Sequence, residues 1–255
     1  MLLTIIIVNY NGAAFLSACL DSVLAQREFF NDFKVVVFDN ASTDQSIEII
    51  QKYAAQIDIH QHDTNVGFPN AHNILLPQLT TPYLWLLNND TEFSHEKDII
   101  TPILNHFKSD DSIVGISPKL LNTDGSIQTQ GSGLNQFRFK TSHIKQVPFL
   151  SGASLFIKTA FFKDIGGFDP NLFFYNDDVD FAMQVKRHKK KLIYYPLVQV
   201  THHGGLSTKF QRIETQIGGY IGSLYLCRKY YHPIIYVIYR FLVRILIKVL
   251  YYYYT

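Results

Sequence analysis

"LLTIIIVNYNG", residues 2–12, is the stretch on which the fold turns. From Leu2 to Val8 only Thr4 interrupts a run of apolar, mostly β-branched side chains. Asn9, Asn11 and Gly12 then end it. A strand with one wet face alternates apolar and polar residues, whereas an unbroken apolar run suits a strand covered on both faces. No basic segment precedes the run, so it reads as a buried strand and not as a secretory leader. Working outward, similar runs recur at "FKVVVFDN" (33–40), "PYLWLLNND" (82–90) and "SIVGISPKLL" (112–121), with a weaker one at "IDIHQH" (57–62). Helical patterns separate them at 14–26, 42–56, 70–79 and 96–108, the second opened by Ser42 or Thr43 as its cap. Strands alternating with helices predict an α/β fold with a mostly parallel central sheet flanked by helices.

The turn-rich stretch 122–136 is expected as a hairpin or loop. Residues 149–169 read as a strand, a short helix and a Gly-Gly turn. Residues 177–191 read as a helix, and 192–196 and 198–205 as strand. No repeat divides the chain. The expected organisation is one globular domain over 1–211 and a helical, apolar and basic tail over 212–255.

Of the 255 residues, 47% are hydrophobic and 17% charged, which supports a large core and argues against disorder. A net charge of +2 gives no argument for nucleic acid as a partner. Cys19 and Cys227 are far apart and form no CxxC, which indicates neither a disulfide framework nor a zinc site. GxxxxGK[ST], GxGxxG and GxSxG are all absent, so no P-loop, dinucleotide fingerprint or hydrolase elbow is supported.

Polar clusters sit where apolar strands stop, the place where open α/β sheets bind ligands. Asp39 in "VFDNASTD" (37–44) could accept from a nucleotide base or ribose, or simply from a turn. Asn88, Asn89 and Asp90 follow "WLL" and offer oxygens to a hard divalent cation, or cap a loop. His202 and His203 precede Gly204 and Gly205. They could ligate a metal or touch phosphate, or be structural. The densest cluster is "FFYNDDVDFA" (173–182), with Asp177, Asp178 and Asp180 among aromatics. A helix macrodipole favours first-turn acids by about 0.3–1 kcal/mol each, enough for one or two of the three. A carboxylate in apolar company has reason for a raised pKa, which suits a general base.

Taken in order, "TIIIVNYNG", "VFDNASTD", "NVGFPNAHN", "LLNNDTE", "GGFDPNLFFYNDDVDF" and "HHGGLS" resemble the family 2 glycosyltransferases, inverting enzymes of the GT-A fold, over about residues 3–229. The rhamnosyltransferase-type subgroup of bacterial surface polysaccharide synthesis is the nearest in pattern. The resemblance implies a nucleotide-sugar donor, with dTDP-rhamnose ahead of UDP-hexoses and GDP-mannose. It implies a glycan or lipid-linked glycan as acceptor and Mg²⁺ or Mn²⁺ as cofactor. It places Asn9, Tyr10 and Asn11 near the nucleotide base and Asp39 on the base or ribose. Asn65 and Gly67, with Asn70 and Asn73 behind, would line ribose and pyrophosphate. Asn88, Asn89 and Asp90 would replace the family's Asp-x-Asp, Asp90 holding the metal with His202 or His203. Gly152 would adjoin donor sugar and acceptor. Asp178, with Asp177 second, would be the base, and Asp180 would orient neighbours or the helix end. Two departures stand out. Asn88 replaces the first acid of Asp-x-Asp, and the Gln-x-x-Arg-Trp element of processive synthases is missing, which implies transfer of one sugar per encounter. A non-catalytic nucleotide-sugar or polysaccharide-binding module on the same fold is the alternative, and a nucleotidyltransferase is a third reading.

"KRHKKK" (186–191) reads as a solvated helix end or as a lipid-facing patch. In the tail, Arg240, Arg244 and Lys248 recur every four residues on an apolar helix. Each central cation opposes spanning by roughly 2.5–3.5 kcal/mol. An interfacial helix with a Tyr251–Tyr254 anchor fits better, giving peripheral contact with the cytoplasmic face of the membrane. The other expectation is packing on the domain or on a second subunit as a homodimer.

Overall fold

Strand β1 (Leu3–Asn9) is buried along its whole length, as its unbroken apolar run requires. The computed structural model describes residues 1–130, 137–173, 175–204 and 212–254. Alternate residues of β1 enter opposite cores. Leu3, Ile5 and Ile7 pack on one side of the sheet, Ile6 and Val8 on the other. The same division holds for β2 (Phe33–Asn40) and β4 (Tyr83–Asn88). Helices α1 (Ala13–Ala25), α2 (Ser46–Lys52) and α4 (Ile100–Phe107) cover the first face. Helices α3 (Phe68–Leu75), α5 (Thr159–Asp164) and α6 (Asp177–Arg187) cover the second.

The remaining strands are β3 (Asp58–His62), β5 (Thr91–Glu92), β6 (Ile113–Leu121), β7 (Lys145–Val147), β8 (Ser154–Lys158) and β9 (Lys191–His202). The sheet order is β3-β2-β1-β4-β8-β6-β9-β5, with β7 also on β9. The first four strands are parallel, each joined by a helical crossover. Beyond β4 the sheet is mixed. β8 runs against both β4 and β6, while β6 and β9 are parallel.

Three local expectations change. Helix α2 starts at Ser46, with neither Ser42 nor Thr43 as its cap. Ser42 Oγ instead accepts from Asn9 Nδ2 and from the Asn11 amide. The stretches 192–196 and 198–202 form one strand, whose register with β6 jumps between Tyr195 and Gln199. Pro118, opposite the jump, has no N–H to continue the ladder. The tail is two helices, α7 (Arg212–Tyr230) and α8 (Pro233–Tyr254), broken where proline can start a helix but not continue one. The hairpin tip is present, with Asn122 N–H donating to Ser126 O. Residues 131–136, Phe174, Gly205 and the side chains of Tyr251 to Tyr254, all named above, lie outside the described residues.

The Gly-Gly turn ties the two halves. Asn73 Nδ2 donates to Phe168 O at 2.8 Å, and Phe168 N–H donates to Asn73 Oδ1 at 2.9 Å. Gly167 has φ of +80°, and a Cβ there would stand 2.3 Å from Asn73 Oδ1. Asn70 Nδ2 likewise serves the carbonyls of Val66 and Pro170. Both asparagines, expected behind a ribose, thus spend their amides on backbone. Asn73→Ala should strand two backbone groups and lower stability by about 2 kcal/mol, read as a shifted urea midpoint at unchanged m-value.

Candidate active site

The parallel register aligns the carboxyl ends of the first strands. Asn9 pairs with Asp39, and Val8 with Asn88. Asn9 is fully buried, and its Nδ2 donates to Asp39 Oδ1 at 2.9 Å and to Ser42 Oγ at 3.0 Å. Asp39 Oδ2 accepts from the Ser42 amide. Asn89 Nδ2 donates to Asn9 Oδ1 at 2.6 Å. A Cβ on Gly12 would meet Asn89 Nδ2 at 2.0 Å, so only glycine fits beside this network. Asn11, with φ of 51°, turns its Oδ1 to the Thr43 amide, and the neighbouring Tyr10 is exposed. One strand along, Asn65 Oδ1 accepts from Asn40 Nδ2 and the Gly67 amide. Gly67 has φ of +83°, and its Cβ would lie 2.5 Å from Phe173 O, so the 65–67 loop packs directly on the acidic segment.

Beside this network, His202 Nε2 lies 3.1 Å from Asp90 Oδ1 and 3.2 Å from Asn88 Nδ2. Its Nδ1 is 2.7 Å from Gln128 Oε1, while Gln128 Nε2 donates to Asn122 Oδ1 and His202 O. An Nδ1–H donated to Gln128 leaves the Nε2 lone pair facing the carboxylate. Ligating histidines are oriented in this way. The donor set is one imidazole and one carboxylate. Among the described residues no group of three or more His, Cys, Asp or Glu could hold a metal. The pair therefore fits a hard divalent ion that takes its other ligands from phosphate and water. His203 turns elsewhere. Its ring lies tilted against Phe15 and its Nε2 is 3.4 Å from Glu92 Oε2.

The acid segment closes the site. Tyr175 and Asn176 both have left-handed backbones, at φ of 64° and 67°, uncommon for residues with side chains. They deliver Asp177 and Asp178 at the start of α6, next to Gly152. A Cβ on Gly152 would sit 3.7 Å from Asp177 Oδ2 and 4.0 Å from Asp178 Cβ. Asp177 is buried and Asp178 half-buried. Burial pushes the Asp177 carboxyl far up, and the charges of Asp178 and Asp180 add to the shift. Burial also raises Asp178, though less, because the Val179 and Gly152 amides oppose it.

Asp180 faces away from the pair and does different work. Its Oδ1 accepts from Lys229 Nζ at 2.7 Å and from Tyr230 OH at 2.6 Å. Lys229 also donates to Asp169 Oδ2 at 2.6 Å, where Tyr225 OH joins it. Asn176 Nδ2 donates to Gly219 O, and a Cβ on Gly222 would stand 2.7 Å from that nitrogen. Helix α7 thus clamps the strained turn that presents the acids. Sequence patterns missed Lys229, Asp169 and Gln128. The one available signal was the run of glycines at 218, 219 and 222, which lets a helix approach closely.

Residues 4–166, more than half of the chain, match the family model for glycosyl transferase family 2. The chain is 34% identical over 116 residues to a teichoic acid poly(glycerol phosphate) polymerase of Staphylococcus epidermidis, covering 44% of this chain and 16% of that protein. It is 25% identical over 218 residues to a low-salt glycan biosynthesis hexosyltransferase of Haloferax volcanii, covering 79% and 67%. The chain therefore spans only a fraction of the polymerase and about two thirds of the hexosyltransferase. In fold it is similar to a mannosyltransferase from Pyrobaculum calidifontis solved with GDP-Man and Mn²⁺. The TM-score is 0.65 at 17% identity, over 87% of this chain and 64% of that one. Strand-end polar cluster, GT-A architecture and sequence match agree, and the chain belongs to glycosyl transferase family 2.

Proposed function

We propose that this chain transfers one sugar from a nucleotide-sugar donor to a hydroxyl of a glycan or lipid-linked glycan, with inversion at the anomeric carbon. The observation that carries the reading is the buried Asn9–Asp39–Asn89 network at the strand ends, with the Asp177–Asp178 pair closing the same end of the sheet. Asp39 would take the base or ribose, with the buried Asn9 holding its carboxylate from behind, and Asn65 and Gly67 would line ribose and pyrophosphate. Gly152 leaves room beside the acids. Asp90 and His202 would hold Mg²⁺ or Mn²⁺, and the ion, when bound, stabilises charge on the departing diphosphate. The leading donor is dTDP-rhamnose.

Asp178 is the base. It is less buried than Asp177, which leaves an edge for an acceptor hydroxyl, and its raised proton affinity suits removal of a hydroxyl proton. Asp177 holds its proton more tightly and stays buried, which keeps a second charge off the site. Lys229 is a positioning residue. It holds Asp169 and Asp180 together and so fixes the turn that carries the acids. Helix α8 is the membrane contact. It exposes Ile234, Val237, Ile238, Phe241 and Leu242, with Arg240, Arg244 and Lys248 also exposed. No helix among the described residues is long and apolar enough to cross a membrane.

A panel of nucleotide sugars with Mn²⁺, followed by nucleoside diphosphate release, tests the donor reading. dTDP-rhamnose should give the highest acceptor-dependent release, and release from no donor would overturn the reading. Asp178→Asn should abolish transfer while donor affinity stays within about twofold, and near-normal turnover would remove Asp178 as base. In the intact protein, kcat/KM should rise with pH along a limb well above the ordinary carboxylate value of 3.8. Stability carries the opposite sign. A carboxyl whose folded pKa is raised contributes stability below its unfolded pKa and loses it as pH rises through the folded one. Asp177→Asn should therefore raise Tm more at pH 8 than at pH 5. Lys229→Met should lower kcat by about tenfold with donor KM unchanged, and Lys229→Arg should recover most of it. A loss confined to KM would reject the positioning role.

A further inference from the structure

Helix α6 carries the acids at its N-terminus and a second feature at the other end. A cavity of about 570 Å³ opens there, lined by Arg138, Lys186, Lys189, Lys190 and Lys191 over a floor that includes Val185 and Leu192. No Asp or Glu lines it. Lys191 is paired with Asp110 at 2.7 Å. Among the described residues the other four cations form no ion pair.

The bland account is a solvated helix end, where cations offset the macrodipole. It covers Lys186 and its neighbours but not Arg138, which comes from the segment before β7. Nor does it explain Lys189. That residue has φ of 55° and takes the place where a helix usually ends on glycine. The Lys189 amide donates to Lys186 O and the Lys190 amide to Val185 O, so the turn is well formed. The chain accepts backbone strain there and places a cation at the cavity wall. Strain of this kind gathers at functional positions.

We propose that this cavity binds the headgroup phosphate of an anionic membrane lipid, at a site separate from the donor site. Four unpaired cations above a buried apolar floor match a phosphate attached to hydrocarbon better than a free anion. Position supports the same source. Arg187, next along α6, stacks on Tyr230 at 4.6 Å, and Tyr230 ends α7 just ahead of α8. The helix that carries the cavity's lysines thus touches the last residue of α7, close in the chain to where α8 begins. Choosing lipid as the source of phosphate rests on the reading of α8 given above, and the test separates the two.

Two full-length variants are compared with the parent chain. One carries Arg138→Gln, Lys186→Gln, Lys189→Gly and Lys190→Gln, and the other carries Arg240→Gln, Arg244→Gln and Lys248→Gln. Lys189→Gly relieves the left-handed strain, so the cavity variant should keep or gain thermal stability. Binding is measured to vesicles of phosphatidylcholine with and without phosphatidylglycerol, to monomeric dihexanoyl-phosphatidylglycerol, and to inorganic phosphate. The parent should prefer phosphatidylglycerol vesicles and bind the soluble lipid more tightly than phosphate. The cavity variant should lose both lipid affinities at least about tenfold, as expected for removing several cations near an anionic surface. Its nucleoside diphosphate release with a soluble acceptor should stay unchanged. The α8 variant should lose vesicle binding and keep the soluble lipid. Undiminished binding of the soluble lipid by the stably folded cavity variant overturns the site. Phosphate binding as tight as lipid binding overturns the lipid assignment. Full vesicle binding by the α8 variant rejects the α8 reading alone.

Discussion

The structure depends on one alignment, that of β1 between β2 and β4. Because Asn9 lies opposite Asp39 and Val8 opposite Asn88, three strands turn from apolar to polar at one level. The hydrogen bond from Asn9 to Asp39 is buried, and a buried polar pair is tolerated only when fully partnered. Partnering recruits Ser42, Asn89 and the space left by Gly12. A one-residue slip of β1 would exchange its two core faces and dismantle this network together. The apolar runs that build the core are thus the same elements that hold the polar residues in place.

The acid segment shows the opposite economy, because most of its features oppose stability. Two left-handed residues precede two carboxyls that repel, one of them buried. Helix α7 offsets this. Lys229 bridges Asp169 and Asp180, its one positive charge offsetting part of their two negative ones, and Asn176 is held by the Gly219 carbonyl. Helix α7 lies beyond the residues that match the family, yet it holds the turn that presents the acids.

Much of this was legible in residues 2–12 and their repeats. Continuous apolar runs of strand length admit few arrangements, and polar residues at their ends mark a site in any open α/β sheet. Asp177 and Asp178 stood out because acids in apolar company need a reason, and Asp90 and His202 because they follow strand-forming runs. The antiparallel β8 was not legible, since an apolar run gives no strand direction. Ser42 looked like a cap because hydroxyls cap helices locally, and only the fold shows it engaged by Asn9 and Asn11. Asn70 and Asn73 looked like ligand amides because their partners, about 100 residues away, are backbone atoms with no sequence signature. Lys229 gave no signal for a related reason, since a buried ion pair between distant elements follows no period.

The proposed single carboxylate base, with no nucleophilic side chain, requires displacement in one step. The anomeric configuration of the product tests this most directly, read from one-bond C–H couplings by NMR after transfer from a donor of known anomer. The account predicts inversion, with the acceptor linked on the face opposite the departing nucleoside diphosphate. Retention of the donor's configuration would contradict it, and with it the role of Asp178 as the base.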